Sequence, residues 1–118
     1  MKNVIIIIRP NKYFDTKNAL ISAGFTAFSS KLVSGRGCKG FNFSVAHETN
    51  SDNEIAEYPL IAKKEISITI PDEKLDSLVK IIMKINSTGN PGDGKIFVLP
   101  VITAIRIRTN EKNENALA

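Results

Sequence analysis

The chain holds a single cysteine, Cys38, and a single histidine, His47, in 118 residues. One thiol excludes an intramolecular disulfide and fits a reducing, cytoplasmic setting. One thiol and one imidazole also fall short of the ligand set that a zinc-type centre needs, so no metal site is expected. Long apolar runs are missing too. Val4 to Ile8 is continuously apolar behind Lys2, but it is too short for a signal-peptide core or a membrane span. It ends in Arg9-Pro10 without a small-residue cleavage site, and a buried central strand is the better reading. No Ser–His–Asp set or pair of carboxylates can be picked out. Asp72, Glu73 and Asp76 read as the charged first turn of a helix, and no catalytic centre is expected. The net charge of +4 favours anionic ligands such as nucleotides, yet is too small to argue for nucleic acid.

What is present is ordinary for one globular domain able to bury a core: 42% hydrophobic and 24% charged residues. The first unit reads strand, helix, strand. After Val4–Ile8, Asn11 is placed to cap a helix over Tyr13–Ala23, Gly24 to end it, and Phe25–Val33 to follow as a strand. The second unit repeats this. Ile66, Ile68 and Ile70 alternate with Glu65, Ser67 and Thr69, which is strand periodicity. Asp72 then stands as a cap before Leu75, Leu78, Val79 and Ile82, which share one helical face. Ile96–Val101 and Ile102–Arg108 read as extended, as one strand bent around Pro100. Two such halves make a βαββαβ chain, an α+β ferredoxin-like plan. Its helices cover one sheet face only, and self-association is a simple cover for the other. Residues 35–60 form a polar connection too long for an ordinary turn, and 110–118 a flexible polar tail.

Gly89-Asn90-Pro91-Gly92-Asp93-Gly94-Lys95-Ile96 nearly matches the P-loop pattern. It lacks the hydroxyl residue that would hold magnesium, and it leads from a helix into a strand, the reverse of a P-loop. A Walker-type NTPase is therefore disfavoured. Three glycines in six residues still let backbone N–H groups approach an anion, with Lys95 beside them. Against a plain turn with a solvated lysine, the balance is tipped by Arg106 and Arg108, which strand alternation would put on one face as a phosphate clamp. Gly35-Arg36-Gly37-Cys38-Lys39-Gly40 is a second glycine-rich basic turn, read as a hinge or a ligand contact.

Thr88-Gly89-Asn90-Pro91-Gly92-Asp93-Gly94-Lys95-Ile96-Phe97-Val98 closely resembles the carboxy-terminal signature of PII signalling proteins, T-G-x-x-G-D-G-K-I-F-V, and Arg106-Ile107-Arg108-Thr109 matches the R-I-R-T that follows it. Met1-Lys2 through Pro10, Ala19 through Phe25, Gly35 and Gly37 fit as well. The resemblance implies a ferredoxin-like homotrimer, or a mixed trimer with a paralogue, with ATP or ADP in each cleft between subunits. It implies that Gly92, Asp93, Gly94 and Lys95 embrace the phosphates, that Arg106 and Arg108 reach them, and that Lys63 contacts phosphate and the effector 2-oxoglutarate. Ile7, Ser29, Gly35, Gly37 and Thr69 align with positions around the nucleotide. The long loop is the effector arm of the family. Its polar composition leaves Phe41 and Phe43 as the anchors for a protein partner. Nitrogenase, an ammonium transporter and glutamine synthetase are the targets such arms reach.

The sequence departs from the family in three respects. The glutamine that helps hold Mg2+ and 2-oxoglutarate is absent before Lys39-Gly40, where Cys38 stands, and this weighs against those two ligands. The loop is longer than usual and lacks the modifiable tyrosine, since Tyr58 lies at its exit. Gly35-Arg36-Gly37 and Ile8-Arg9-Pro10 resemble the nitrogen-fixation subgroup of archaea and anaerobic bacteria, whose members pair as two types and inhibit nitrogenase. Two competing classes are kept. An acylphosphatase-like hydrolase shares the fold and an arginine at phosphate. An RNA-binding sheet would want exposed aromatics in an RNP1 pattern, which these aliphatic strands lack.

Overall fold

The computed structural model of the chain describes residues 1–35 and 60–117. Its elements are β1 (Lys2–Ile8), α1 (Tyr13–Ser22), β2 (Phe28–Gly35), β3 (Ile61–Ile70), α2 (Leu75–Asn86) and β4 (Gly94–Pro100). Short 3-10 turns at Pro10–Lys12 and Asp72–Lys74 lead into the two helices, and a third covers Asn113–Ala116. The strands form one antiparallel sheet in the order β2-β3-β1-β4, so the fold is the ferredoxin-like α+β arrangement.

Strand alternation decides where the core lies. Val4, Ile6 and Ile8 on β1 and Ile66, Ile68 and Ile70 on β3 turn to one side, where Leu20, Phe25, Leu78 and Ile82 bury them. Each such side chain is worth about 1.5–3 kcal/mol when fully buried, which holds both helices to that face. The predicted stripe of α2 is found: Leu78 and Ile82 are buried, and Leu75 and Val79 half-buried. The less regular pattern of α1 has a cause in Thr16, a polar residue fully buried between the helices. Its hydroxyl donates to the Lys12 carbonyl at 2.8 Å and accepts from Asn86 Nδ2 at 3.1 Å, so the burial is satisfied locally.

The structure corrects four local expectations. Neither Asn11 nor Asp72 caps a helix. Arg9 and Pro71, both in extended conformation, precede the two 3-10 turns, and no side-chain cap is made at either. Asp72 instead meets the Met1 amino group at 2.9 Å. The second strand starts at Phe28, not Phe25, because the Phe25 and Gly24 N–H groups close α1 by bonding to the Leu20 and Ile21 carbonyls. Gly24, with φ at +91°, supplies the left-handed step of this Schellman closure, as the sequence predicts. Ile102–Arg108 is not a strand. Pro100 pairs with Lys2, the first residue of β1, and past that point the edge has no ladder to join. The chain turns back on itself instead: Ile105 bridges Lys112, and the Arg106 N–H donates to the Glu111 carbonyl at 2.9 Å. Residues 110–117 supply the return arm of that hairpin and a 3-10 turn.

Candidate functional site

The hairpin register places side chains on the sheet face away from the helices in rows. Phe97, Ile5, Ser67 and Ser29 lie across one row, and Lys95, Ile7, Glu65 and Lys31 across the next. The β1–β4 side of this face is apolar, with Ile5, Ile7, Phe97 and Leu99. The β2–β3 side is polar, with Ser29, Lys31, Glu65, Ser67 and Thr69. Lys31 and Glu65 pair at 3.3 Å, and Asn3 Nδ2 donates to both Ser67 and Thr69.

The glycine-rich turn joins α2 to β4 at the end of the sheet where β1 finishes. Its glycines are required by geometry. Gly89, Gly92 and Gly94 have φ of +80°, +96° and +121°. A Cβ on Gly94 would sit 1.9 Å from the Ile7 carbonyl oxygen, so no side chain fits there. Asp93 braces the turn from within. One carboxylate oxygen accepts the Thr88 and Gly89 N–H groups at 2.7 and 3.0 Å. The other accepts the Thr88 hydroxyl and Arg9 Nη1, the latter at 2.6 Å. The Thr88 donors, followed by Arg9 and Gly89, hold the Asp93 carboxyl well below the ordinary carboxylate range despite some opposing burial. Arg9 Nη2 also donates to the Pro91 carbonyl at 2.9 Å. From β3, Lys63 Nζ reaches the Gly92 carbonyl at 2.6 Å. Burial, then the neighbouring Arg9 charge, push the Lys63 ammonium down from its ordinary value, with Asp93 opposing them.

Ile7, Lys63, Gly92, Asp93, Gly94 and Lys95 are thereby brought together at one end of the sheet. A cleft of about 250 Å³ opens beside them between β4 and the end of α2, with Lys95, Ser87, Met83 and Asn86 among its lining. The other expected residues stand elsewhere. Ser29 is on β2, the opposite edge strand, in a polar recess with Ser30, Lys31, Glu65 and Ser67. Three strand spacings, about 14 Å, separate it from β4. Thr69 lies toward the far end of β3, opposite Asn3, and Gly35 ends β2 opposite Ile61. Arg106 and Arg108 follow the far end of β4, roughly 20 Å of strand away from the turn. They do not alternate on a strand face: Arg106 is half-buried and pairs with Glu111 at 3.2 Å, while Arg108 is exposed at the hairpin turn. Gly37, Phe41 and Phe43 lie outside the described residues.

Arg9 and Thr88 are the participants that sequence reasoning did not assign. Thr88 carried a usable signal, since a threonine five residues before an aspartate can close a turn through its hydroxyl. Arg9 carried none, being 84 positions from its partner. Among the described residues, no group of three His, Cys, Asp or Glu side chains could hold a metal ion, and no helix is long and apolar enough to cross a membrane.

Residues 1–111 match the family described as nitrogen regulatory protein P-II. The chain belongs to the P-II family. It is 40% identical over 122 residues to a nitrogen fixation nifHD region GlnB-like protein 2 of Methanobacterium ivanovii, covering 99% of each chain. A protein of the same description from Methanothermobacter marburgensis is 41% identical over 121 residues, with 99% of this chain and 100% of that one covered. A nitrogen regulatory protein P-II of Porphyra purpurea is 37% identical over 125 residues at similar coverage. P-II proteins are nitrogen regulatory signalling proteins, and the signature Thr88–Val98 that suggested this membership is the segment that builds the braced turn.

Proposed function

We propose that this P-II chain is a nucleotide-responsive regulator that works as a homotrimer, with ATP or ADP held between copies. One observation carries the reading. Of the residues matched to the nucleotide, Ile7, Lys63 and Gly92–Lys95 gather at the turn, whereas Ser29 on the opposite edge strand and Arg106 and Arg108 past the far end of β4 stand away from it, and one copy does not bring these groups together. Two copies can, if the β4 edge of one faces the β2 edge and arginine hairpin of the next. The glycine turn suits a polyphosphate, because Gly92 and Gly94 carry no side chain to hold an anion off the backbone and the Lys95 charge follows them directly in the chain. The apolar open face, with Phe97 and Leu99 nearly half exposed, and the hairpin's exposed Ile102 and Ile107 supply surface for the assembly.

The test is complementation between subunits. Lys95→Ala and Arg106→Ala should each weaken ATP binding by about ten- to a hundredfold, the loss of one charge-assisted contact. Trimers reassembled from an equal mixture should regain full affinity at about a quarter of their sites, because some neighbours then contribute one intact set each. No recovered sites in proven mixed trimers would overturn a shared site. A monomer by light scattering at micromolar concentration would overturn the assembly.

The regulated target is a protein of nitrogen fixation, nitrogenase first. The likeness to nitrogen fixation nifHD region proteins of methanogens supports this direction, and an ammonium transporter or glutamine synthetase is the alternative outcome. Deleting Val45–Glu57 should leave trimer and nucleotide binding intact while abolishing regulation. The missing glutamine beside Cys38 speaks against a 2-oxoglutarate and Mg2+ site, and calorimetry with 2-oxoglutarate in the presence of MgATP decides that point.

A further inference from the structure

The Asp93 carboxylate accepts four hydrogen bonds, from the Thr88 N–H and hydroxyl, the Gly89 N–H and Arg9 Nη1. A carboxylate so engaged is turned inward, and as an anion it would repel a phosphate if turned outward. Arg9 is committed in the same way. One terminal nitrogen goes to Asp93, the other to the Pro91 carbonyl, and the guanidinium lies beneath Gly92, where an added Cβ would be 3.2 Å from Nη2. Arg9 follows the last residue of β1, so its position is set by the central strand. The turn it grips lies between α2 and the edge strand β4. Both members of the pair are mostly buried, with 27% and 23% of their side chains exposed. A bidentate guanidinium reaching a carboxylate and a backbone carbonyl fixes orientation as well as distance.

We propose that Arg9 is a positioning residue for the phosphate turn, and that Asp93 is the internal brace through which it acts, not a group that meets the ligand. This deepens the nucleotide reading given above and rests on it for the identity of the ligand. The Arg9–Asp93 contact holds the Gly92–Lys95 segment in place, with Gly92 and Gly94 in their left-handed conformations, before any ligand arrives. Arg9 contributes to affinity by preorganisation and makes no phosphate contact of its own.

Calorimetric ATP affinity of the trimer is compared for wild type, Arg9→Met, Arg9→Lys, Asp93→Asn and the Arg9→Met/Asp93→Asn double variant. Arg9→Met and Asp93→Asn should each lose about tenfold or more, and the double variant should lose no more than the worse single one. Arg9→Lys keeps the ion pair and should stay within about threefold of wild type. Losses that multiply in the double variant, or an unchanged Arg9→Met affinity, overturn the proposal. Hydrogen exchange of the Thr88 and Gly89 amides, read without nucleotide, separates the two readings. Faster exchange in Arg9→Met with no ATP binding by wild type sinks the nucleotide assignment and leaves the brace standing. Normal ATP binding by wild type with unchanged exchange in Arg9→Met sinks the brace alone. If Arg9→Met does not fold, Arg9→Lys and Asp93→Asn carry both readouts.

Discussion

The glycine turn and the arginine hairpin sit at opposite ends of β4, and they reach order by different means. The turn is held from three sides: by Asp93 within it, by Arg9 from the end of β1 and by Lys63 from β3. Among the described residues, the hairpin's backbone bonds close on the hairpin itself. Its bonds run between residues 104–106 and 110–113, two left-handed asparagines at φ of 58° shape it, and Ile107 at its turn is fully exposed. A segment tied into the sheet presents its ligand groups ready-made. A segment whose backbone bonds close on itself leaves exposed side chains, Ile107 among them, as surface for another molecule.

The largest expected effect separates the two at the level of folding. Gly94→Ala must push a Cβ into the Ile7 carbonyl at an unfavourable φ, and should cost about 3 kcal/mol or more in urea unfolding and abolish ATP binding. Gly89→Ala, with open space around it, should cost only about 1 kcal/mol. Equal losses from the two would mean that the turn is not fitted against β1.

Next comes Arg106→Ala. The hairpin should keep its stability within about 1 kcal/mol, because the Glu111 pair is partly exposed, while nucleotide affinity falls at least about tenfold. A stability loss as large as the affinity loss would make Arg106 a structural residue like Asp93.

A pH series sharpens the contrast further. The folded-state pKa of Asp93 is depressed, so its stabilisation is present above the unfolded value near 3.8 and erodes as pH falls below it. Asp93→Asn should therefore be less stable than wild type at pH 7, and its stability should fall less steeply than wild type between pH 4 and pH 2. Parallel acid limbs in chemical denaturation would contradict the brace. The smallest effect belongs to the hairpin: Asn110→Gly relieves a left-handed residue that asparagine already tolerates, and should shift stability by within about 0.5 kcal/mol.

Much of this was legible in the chain. Alternation of isoleucines fixed the faces of β1 and β3, helical spacing fixed the buried side of α2, and the Thr88–Val98 signature located the turn, because each is a pattern of near neighbours read by local geometry. The helix caps were misassigned because proline conformation and 3-10 turns did the work given to Asn11 and Asp72. The placement of Arg106 and Arg108 on a strand failed for a different reason. Whether a segment becomes a strand depends on a neighbour with free ladder positions, and β1 begins at Lys2, opposite Pro100. The partnership of Arg9 with Asp93 and of Lys63 with the Gly92 carbonyl joins residues 84 and 29 positions apart. Such contacts come from sheet order β2-β3-β1-β4, which brings the end of β1 and the start of β3 to one turn. Sequence by itself determined which groups the chain carries and the turns and faces they belong to. Tertiary structure decided which of them meet, because the separation of two charges in space is set by strand order and register, quantities no single stretch of sequence contains.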